Sequence, residues 1–339
     1  MRFGLGWRRE LGASILANLD RIDVVEVLAE EHVHADAKGR RALRFLARTV
    51  SVVVHATSLG LASRDALDRK RLDAVARVIG WIEPEAWSEH LSFVRSSGIE
   101  IGHLAAPPRC QETLDGLMRN VDTACRAIGS LPLLENVATL LDPPMSEWTE
   151  SEWICRVAES TGAPLLLDLH NLHANATNFG FSAEEFLDAI PLERVAMIHL
   201  AGGRRIEGDR ILDDHLHDVP DPVFSLLARA AHNDVDVVIE RDGNYPQFSS
   251  LLAELDRARH VIPSVARNLG GRAARAAGPA RPAPSLTLGM TPEHLLAHVL
   301  TSDDPQAAIN QLQIEDKEAV HLARRSFARK RNAKARRVV

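Results

Sequence analysis

Short apolar runs alternate with longer stretches of helical period from the second residue to about residue 260. Runs of period two or continuous apolarity predict strands at 2–7 (RFGLGW), 23–28 (DVVEVL), 50–56 (VSVVVHA) and 86–93 (AWSEHLSF). Four more are predicted at 131–137 (LPLLENV), 164–170 (PLLLDLH), 194–200 (RVAMIHL) and 235–241 (VDVVIER). Between them the 3.6-residue period predicts helices at 64–82, 111–129, 149–161, 182–190, 221–233 and 246–260. Thr149-x-x-Glu152 and Ser182-x-x-Glu185 have the spacing of capping boxes, and Gly129 and Gly162 stand where helices should stop. Eight strands each followed by a helix predict an α/β chain folded as a (β/α)8 TIM barrel. Near-continuous apolar strands fit a parallel sheet covered on both faces.

An open doubly wound sheet would give the same alternation, so the polar positions decide between the two. The last inward-capable residues of the second to eighth strands are Glu26, His55, His90, Glu135, Asp168, His199 and Glu240, so seven of the eight strands offer a carboxylate or imidazole near the end. In a barrel those ends converge on one mouth, whereas in an open sheet they would be strung along an edge. Asp213 and His215, in LDDHLHDVPDPVF after the seventh strand, belong to the same mouth.

Past residue 261 the composition changes. The expected organisation is a barrel over 1–261, an Ala/Gly/Pro/Arg linker over 262–285 and a helical, basic C-terminal extension over 286–339. Thr291-Pro292 looks like the start of a helix to about 300, with another from about 304 to 333. Residues 319–339 carry eight Lys/Arg and no Asp/Glu, so the net charge of −6 leaves −14 on the first 318 residues. An acidic body argues against nucleic acid as a partner. The N-terminus has no long apolar h-region, and no apolar stretch approaches the roughly 20 residues that cross a bilayer, so a cytoplasmic protein without membrane contact is expected. Cys110, Cys125 and Cys155 are scattered without CxxC spacing, so neither a disulfide framework nor a thiolate zinc site is indicated.

Histidine, aspartate and glutamate without cysteine make a hard to borderline donor set suited to Fe(II), Mn(II) or Zn(II). Seven converging groups exceed the needs of one tetrahedral ion, and Glu135 is a natural bridge. A lone histidine at a strand end is more often a hydrogen-bonded structural residue, but seven groups in register are not a coincidence. Glu26 is the weakest of them, since such a residue can serve substrate or an arginine. His103 and His217 read as loop residues, His32 and His34 as part of a solvated loop, and His170 and His173 are expected to face away from Asp168. Gly4-x-Gly6 lacks the rest of a dinucleotide fingerprint, and neither a Walker loop nor a GxSxG elbow occurs.

The stretches GLGWRREL, VVEVLAEEH, VVVHATSLGLAS, WSEHLSF, LLENVATL, LLLDLHNLHANATNFGF, MIHLAGG, LDDHLHDVPDPVF and VVIERDGNYP run in order from residue 4 to about 246. Together they resemble the multinuclear non-haem iron-dependent oxidases (MNIO), which include the oxidase of methanobactin biosynthesis. The resemblance implies a TIM barrel with two or three irons, mixed-valent Fe(II)/Fe(III), using O2 as co-substrate. It implies a ribosomally made, cysteine-containing precursor peptide as substrate, modified at cysteine, with a peptide-recognition partner protein as a possible companion. Carried over, one iron is held by His55, His90 and bridging Glu135, and a second by Glu135, Asp168, His199 and Glu240. A third uses Asp213, His215 and Asn171, and Glu135, Asp168 and His199 are the expected catalytic group. His170 departs from the family, which usually has a second Asn there, and His173 stands where an aromatic is common.

Two rivals share the fold. A xylose-isomerase-like sugar isomerase or epimerase wants a catalytic lysine or glutamate pair, and no lysine ends a strand here. An endonuclease-IV-like zinc phosphodiesterase wants a basic groove at the mouth, which the acidic body does not provide. A metal-dependent scaffold or peptide carrier is the non-enzymatic alternative.

Overall fold

A computed structural model describes residues 1–232 and 235–266 of the chain. The eight barrel strands are β1 (Arg2–Trp7), β2 (Val24–Leu28), β3 (Ser51–Ala56), β4 (Ala86–His90), β7 (Leu133–Glu135), β8 (Leu165–Asp168), β9 (Val195–Leu200) and β12 (Asp236–Ile239). Each is parallel to its neighbours, and β1 pairs with both β2 and β12, so the sheet closes. Helices α2 (Ala37–Thr49), α3 (Arg69–Ile82), α4 (Gln111–Ile128), α5 (Glu150–Thr161), α6 (Leu169–Phe179), α7 (Ala183–Ala189), α8 (Asp221–Ala230) and α9 (Phe248–Ala266) connect or follow them. A short helix α1 (Gly12–Leu16) lies in the segment between β1 and β2.

The barrel interior is layered by the period of two along its strands. Val24, Val53, Leu133, Leu166, Met197 and Val238 form one buried apolar cluster. Two residues further along the same strands stand Glu26, His55, Glu135, Asp168, His199 and Glu240, all buried. Successive side chains of a strand point to opposite faces, so residues two apart share one. The apolar layer therefore closes the floor beneath the polar one and keeps water from reaching it from below.

Local signals set several boundaries. The capping box of α5 is formed, with Thr149 accepting from the Glu152 amide and the Glu152 carboxylate accepting from the Thr149 amide. At α7 only one half of the expected box is formed, Ser182 Oγ accepting from the Glu185 amide, and Gly129 and Gly162 end α4 and α5 in the left-handed region.

Three features differ from the sequence expectation. The fourth strand stops at His90, and residues to 105 make an antiparallel hairpin, β5 (Phe93–Ser96) and β6 (Ile99–Ala105). Its turn, Ser97-Gly98, has φ of 51° and 79°, the pair of positive values that a two-residue hairpin loop of matching twist requires. The sixth strand ends at Asp168, not 170, because the Asp168 carboxylate accepts from the Asn171 amide at 2.6 Å and caps α6. His170 thus sits in the first turn of a helix. Finally, α9 runs to Ala266, five residues into the stretch read as a linker, a single missing N–H at Pro263 not ending it. The remainder of that linker and the C-terminal extension lie outside the described residues. A second antiparallel pair, β10 (Arg204–Arg205) and β11 (Ile211–Leu212), rises from the loop after β9.

Candidate metal centre

Glu135 ends β7 at the centre of the polar layer, fully buried, with neither carboxylate oxygen engaged in a hydrogen bond. Its Oε2 lies 3.4 Å from His90 Nε2 and 3.6 Å from His55 Nε2. Its Oε1 lies 3.3 Å from His199 Nδ1. The two oxygens therefore face two different groups of donors. On the far side His199 Nδ1 is 3.2 Å from Glu240 Oε2, and Asp168, paired with His199 in register, completes that group.

Beyond it, the loop after β11 brings in Asp213 and His215. Nδ1 of His215 is 3.1 Å from Glu240 Oε2 and 3.7 Å from Asp242 Oδ2, and its Nε2 is 2.9 Å from Asp213 Oδ1. Within each of the groups His55/His90/Glu135, Glu135/Asp168/His199/Glu240, His170/Asp213/His215 and His215/Glu240/Asp242, the donor atoms lie within 4.8 Å of one another. Asn171 is buried, its Nδ2 donates to the Asn136 carbonyl at 3.0 Å, and its Oδ1 has no hydrogen-bond partner.

Neighbours orient the rings. Nδ1 of His55 meets Ser88 Oγ at 2.8 Å, which turns Nε2 toward Glu135. Nε2 of His199 meets Glu26 Oε2 at 2.8 Å, which leaves Nδ1 for the cluster. Asn136 brackets Asp168, donating to its carbonyl at 2.9 Å and accepting from its amide at 2.8 Å. Such outer contacts fix the tautomer and direction of a metal-binding side chain.

The protonation pattern is that of a site short of positive charge. Burial pushes the carboxyls of Glu26 and Asp168 up to about 7 and His55 down to about 3. Burial also opposes the charge on His90, yet Glu135 and Glu89 raise it to about 9. His199 and His215 are raised against burial by the carboxylates around them, and Glu135 and Glu240 are lowered against burial by those imidazoles. Imidazolium here takes a place that a divalent cation would fill better, since a cation also satisfies the orphaned oxygens and ring nitrogens. The unpartnered atoms of Glu135, Asp168, Asn171, His199 and His215, all N or O donors, fit a multinuclear site for iron, manganese or zinc.

Above the layer a cavity of about 1160 Å³ opens, with His55, His90, Asn171, Asp213, His215 and Glu240 in its floor. Phe93, Ile101 and Leu104 of the β5–β6 hairpin and Val137–Leu141 form apolar walls. His103 lies on that wall, exposed, and His217 is half exposed; neither joins a donor group among the described residues. His34 is exposed, while His32 is half-buried, contrary to the solvated loop expected for it.

Sequence reading missed four contributors. His170, expected to face away, stands beside Asp213 because it is helical. Asp242, two residues beyond Glu240, shows the period of two that could have exposed it. Asn136 and Ser88 gave no signal, because their partners come from other strands.

The sequence profile of the family described as RiPP precursor modification enzyme MbnB/TglH/ChrH matches residues 2–263. A UPF0276 protein of Streptomyces avermitilis is 38% identical over 269 residues, 76% of this chain and 54% of that one. This chain thus spans about half the length of that relative. A UPF0276 protein of Rhizorhabdus wittichii is 34% identical, covering 76% of this chain and 94% of its own length. Among solved structures, a D-psicose 3-epimerase from Clostridium cellulolyticum superposes with a TM-score of 0.51 at 12% identity, over 77% of this chain and 99% of that one. Endonuclease IV from Thermus thermophilus gives 0.50 at 16% identity, over 79% and 100%. A fusion of a xylose isomerase-like TIM barrel with a 4-hydroxyphenylpyruvate dioxygenase gives 0.55 at 14%, over 79% and 44%. These three likenesses bear on the fold alone. No helix among the described residues is long and apolar enough to cross a membrane.

Proposed function

This chain belongs to the MbnB/TglH/ChrH family of RiPP precursor modification enzymes, and on that premise we propose that it is an iron-dependent, O2-using oxidase acting on a cysteine of a precursor peptide. The observation that carries the reading is the split of Glu135, one carboxylate oxygen toward His55 and His90, the other toward His199. A bridging carboxylate is what two adjacent cations require and a single ion does not.

His55, His90 and Glu135 would hold one ion, and Glu135, Asp168, His199 and Glu240 a second. Asp213, His215 and Asn171 line the third position. Iron, when bound, would supply an anchor for a substrate thiolate and the redox equivalents for O2 chemistry. The protein's part is orientation and exclusion. Ser88 and Glu26 present His55 and His199 by one nitrogen each, and Asn136 holds Asp168 by its backbone. The apolar layer at Val24, Val53 and Val238 shuts out water from below. A cavity of about 1160 Å³ exceeds what one side chain fills and suits an extended peptide segment entering over the apolar hairpin wall. Glu135, Asp168 and His199, deepest in the cluster, are the residues assigned to the chemistry.

The test is anaerobic loading with iron, then O2 and a cysteine-bearing precursor peptide with its recognition partner. The expected result is O2 consumption and a mass change confined to cysteine. Equal turnover by zinc-loaded protein under exclusion of air would reject the redox reading in favour of non-redox metal chemistry such as epimerisation.

A further inference from the structure

His170 is the one imidazole of the donor groups that the arrangement above leaves without a role. It is 1% exposed, in the first turn of α6. Its Nδ1 lies 2.7 Å from Asp213 Oδ1, and the same oxygen lies 2.9 Å from His215 Nε2. The two rings stand 6.2 Å apart and nearly perpendicular, at 85°.

A histidine bonded to an aspartate is ordinarily a loop clamp, but two observations point to a ligand. The first is what remains unpartnered. Nε2 of His215, although 2.9 Å from the Asp213 oxygen, has no hydrogen-bond partner, and the same holds for Asp168 Oδ2 at 3.8 Å from it and for Oδ1 of the adjoining Asn171. Three buried polar atoms left open beside one carboxylate call for a cation, because each gave up its hydration without gaining a partner. The second is Gly203, just past β9. A Cβ there would stand 2.6 Å from His170 Cε1 and 3.0 Å from Nε2, as well as 2.3 Å from the Leu212 carbonyl oxygen. Bare backbone thus packs against the outer edge of the ring, and the Nδ1 edge is the one left facing Asp213. Bonds of roughly 2.0–2.2 Å from an ion to N and O donors place adjacent donors about 3 Å apart. The 2.7 and 2.9 Å separations match.

We infer that His170 is a ligand of the third ion, completing with Asp213 and His215 a two-histidine, one-carboxylate set suited to Fe(II). Such a set leaves coordination positions open on non-haem Fe(II). The site rests on the reading of the barrel mouth as metal-binding, and not on the peptide or on O2.

The experiment is therefore metal content and affinity, with no substrate present. The wild-type chain and the variants His170→Ala and His170→Gln are loaded anaerobically with Fe(II), desalted, and titrated with a competing chelator. Gln keeps a hydrogen bond to Asp213 but not the imidazole. Both variants should bind one iron per chain fewer than wild type, or hold that ion at least about tenfold more weakly, while the ions at Glu135 stay and report an intact barrel. Wild-type content and affinity in His170→Gln would overturn the assignment and leave a clamp. Should both variants misfold, the wild-type chain loaded with Co(II) and labelled at histidine decides. Contact-shifted ring resonances of His170 beside those of His55, His90, His199 and His215 support the site, and an unshifted His170 refutes it.

Discussion

The carboxylate of Glu26 holds Nε2 of His199 at 2.8 Å across 173 residues of sequence, with both side chains fully buried. His199 can then offer only Nδ1 to the cluster. Glu26→Gln keeps an acceptor but removes the charge that makes the ring more basic. Affinity for the ion at Asp168, His199 and Glu240 should fall roughly 10–100-fold, the usual effect of losing an outer-shell partner. The ion at His55 and His90 should be held as before. Chelator competition resolves the two, and equal weakening of both would show that Glu26 acts on the whole layer.

Glu135→Ala should remove both of those ions and reduce turnover to background, because one carboxylate faces both donor groups. His217→Ala, at a half-exposed ring 3.6 Å from Asp214, should stay within a fewfold of wild type. Metal analysis alongside peptide mass spectrometry checks both, and comparable losses would place the loop after β11 in a different register.

Glu150 supplies a pH dependence away from the metal. It stands in the first turn of α5 against Asn175, whose Nδ2 donates to both of its carboxylate oxygens at 3.1 and 3.0 Å. Burial pushes its carboxyl up to about 7 from 4.5, against the pull of Asn175. The folded state therefore binds this proton more tightly than the unfolded one, and stability is lost as pH rises from 4.5 through about 7. Glu150→Gln should remove that loss. At pH 8 the variant should melt roughly 2–4 °C higher, the shift that about 1 kcal/mol gives a domain of this size. At about pH 4, below both values, it should gain nothing. An equal change at both ends of the range in thermal scans would refer the effect to packing.

The eight uncompensated cations of residues 319–339 oppose an acidic body. Deleting residues 286–339 should leave iron content unchanged and weaken binding of an acidic leader peptide, most at low ionic strength where screening is least. Calorimetry at two salt concentrations reads this, and unchanged affinity at low salt would make the segment a solubilising tail.

The eight apolar runs, taken with the carboxylates and imidazoles near their ends, made the closed barrel and its ring of polar groups legible. The alternation that buries Val24, Val53 and Met197 commits Glu26, His55 and His199 to the same face. Helix boundaries at Thr149, Gly129 and Gly162 were legible for a similar reason, since caps are local chemistry. What the sequence did not disclose depends on partners far along the chain. Helix α6 is buried on nearly every side, from Leu169 to Ala176, so it has no amphipathic stripe, and its first turn reads as more strand. The same mistake turned His170 away from the site. Glu26 and His199 look alike as strand ends, and only the closing of β1 on β12 sets one carboxylate behind a ring and leaves another in front of it. Periodicity determines which face a side chain takes; which atom of it meets which partner is decided by distances across the barrel, and those exist only once it is closed.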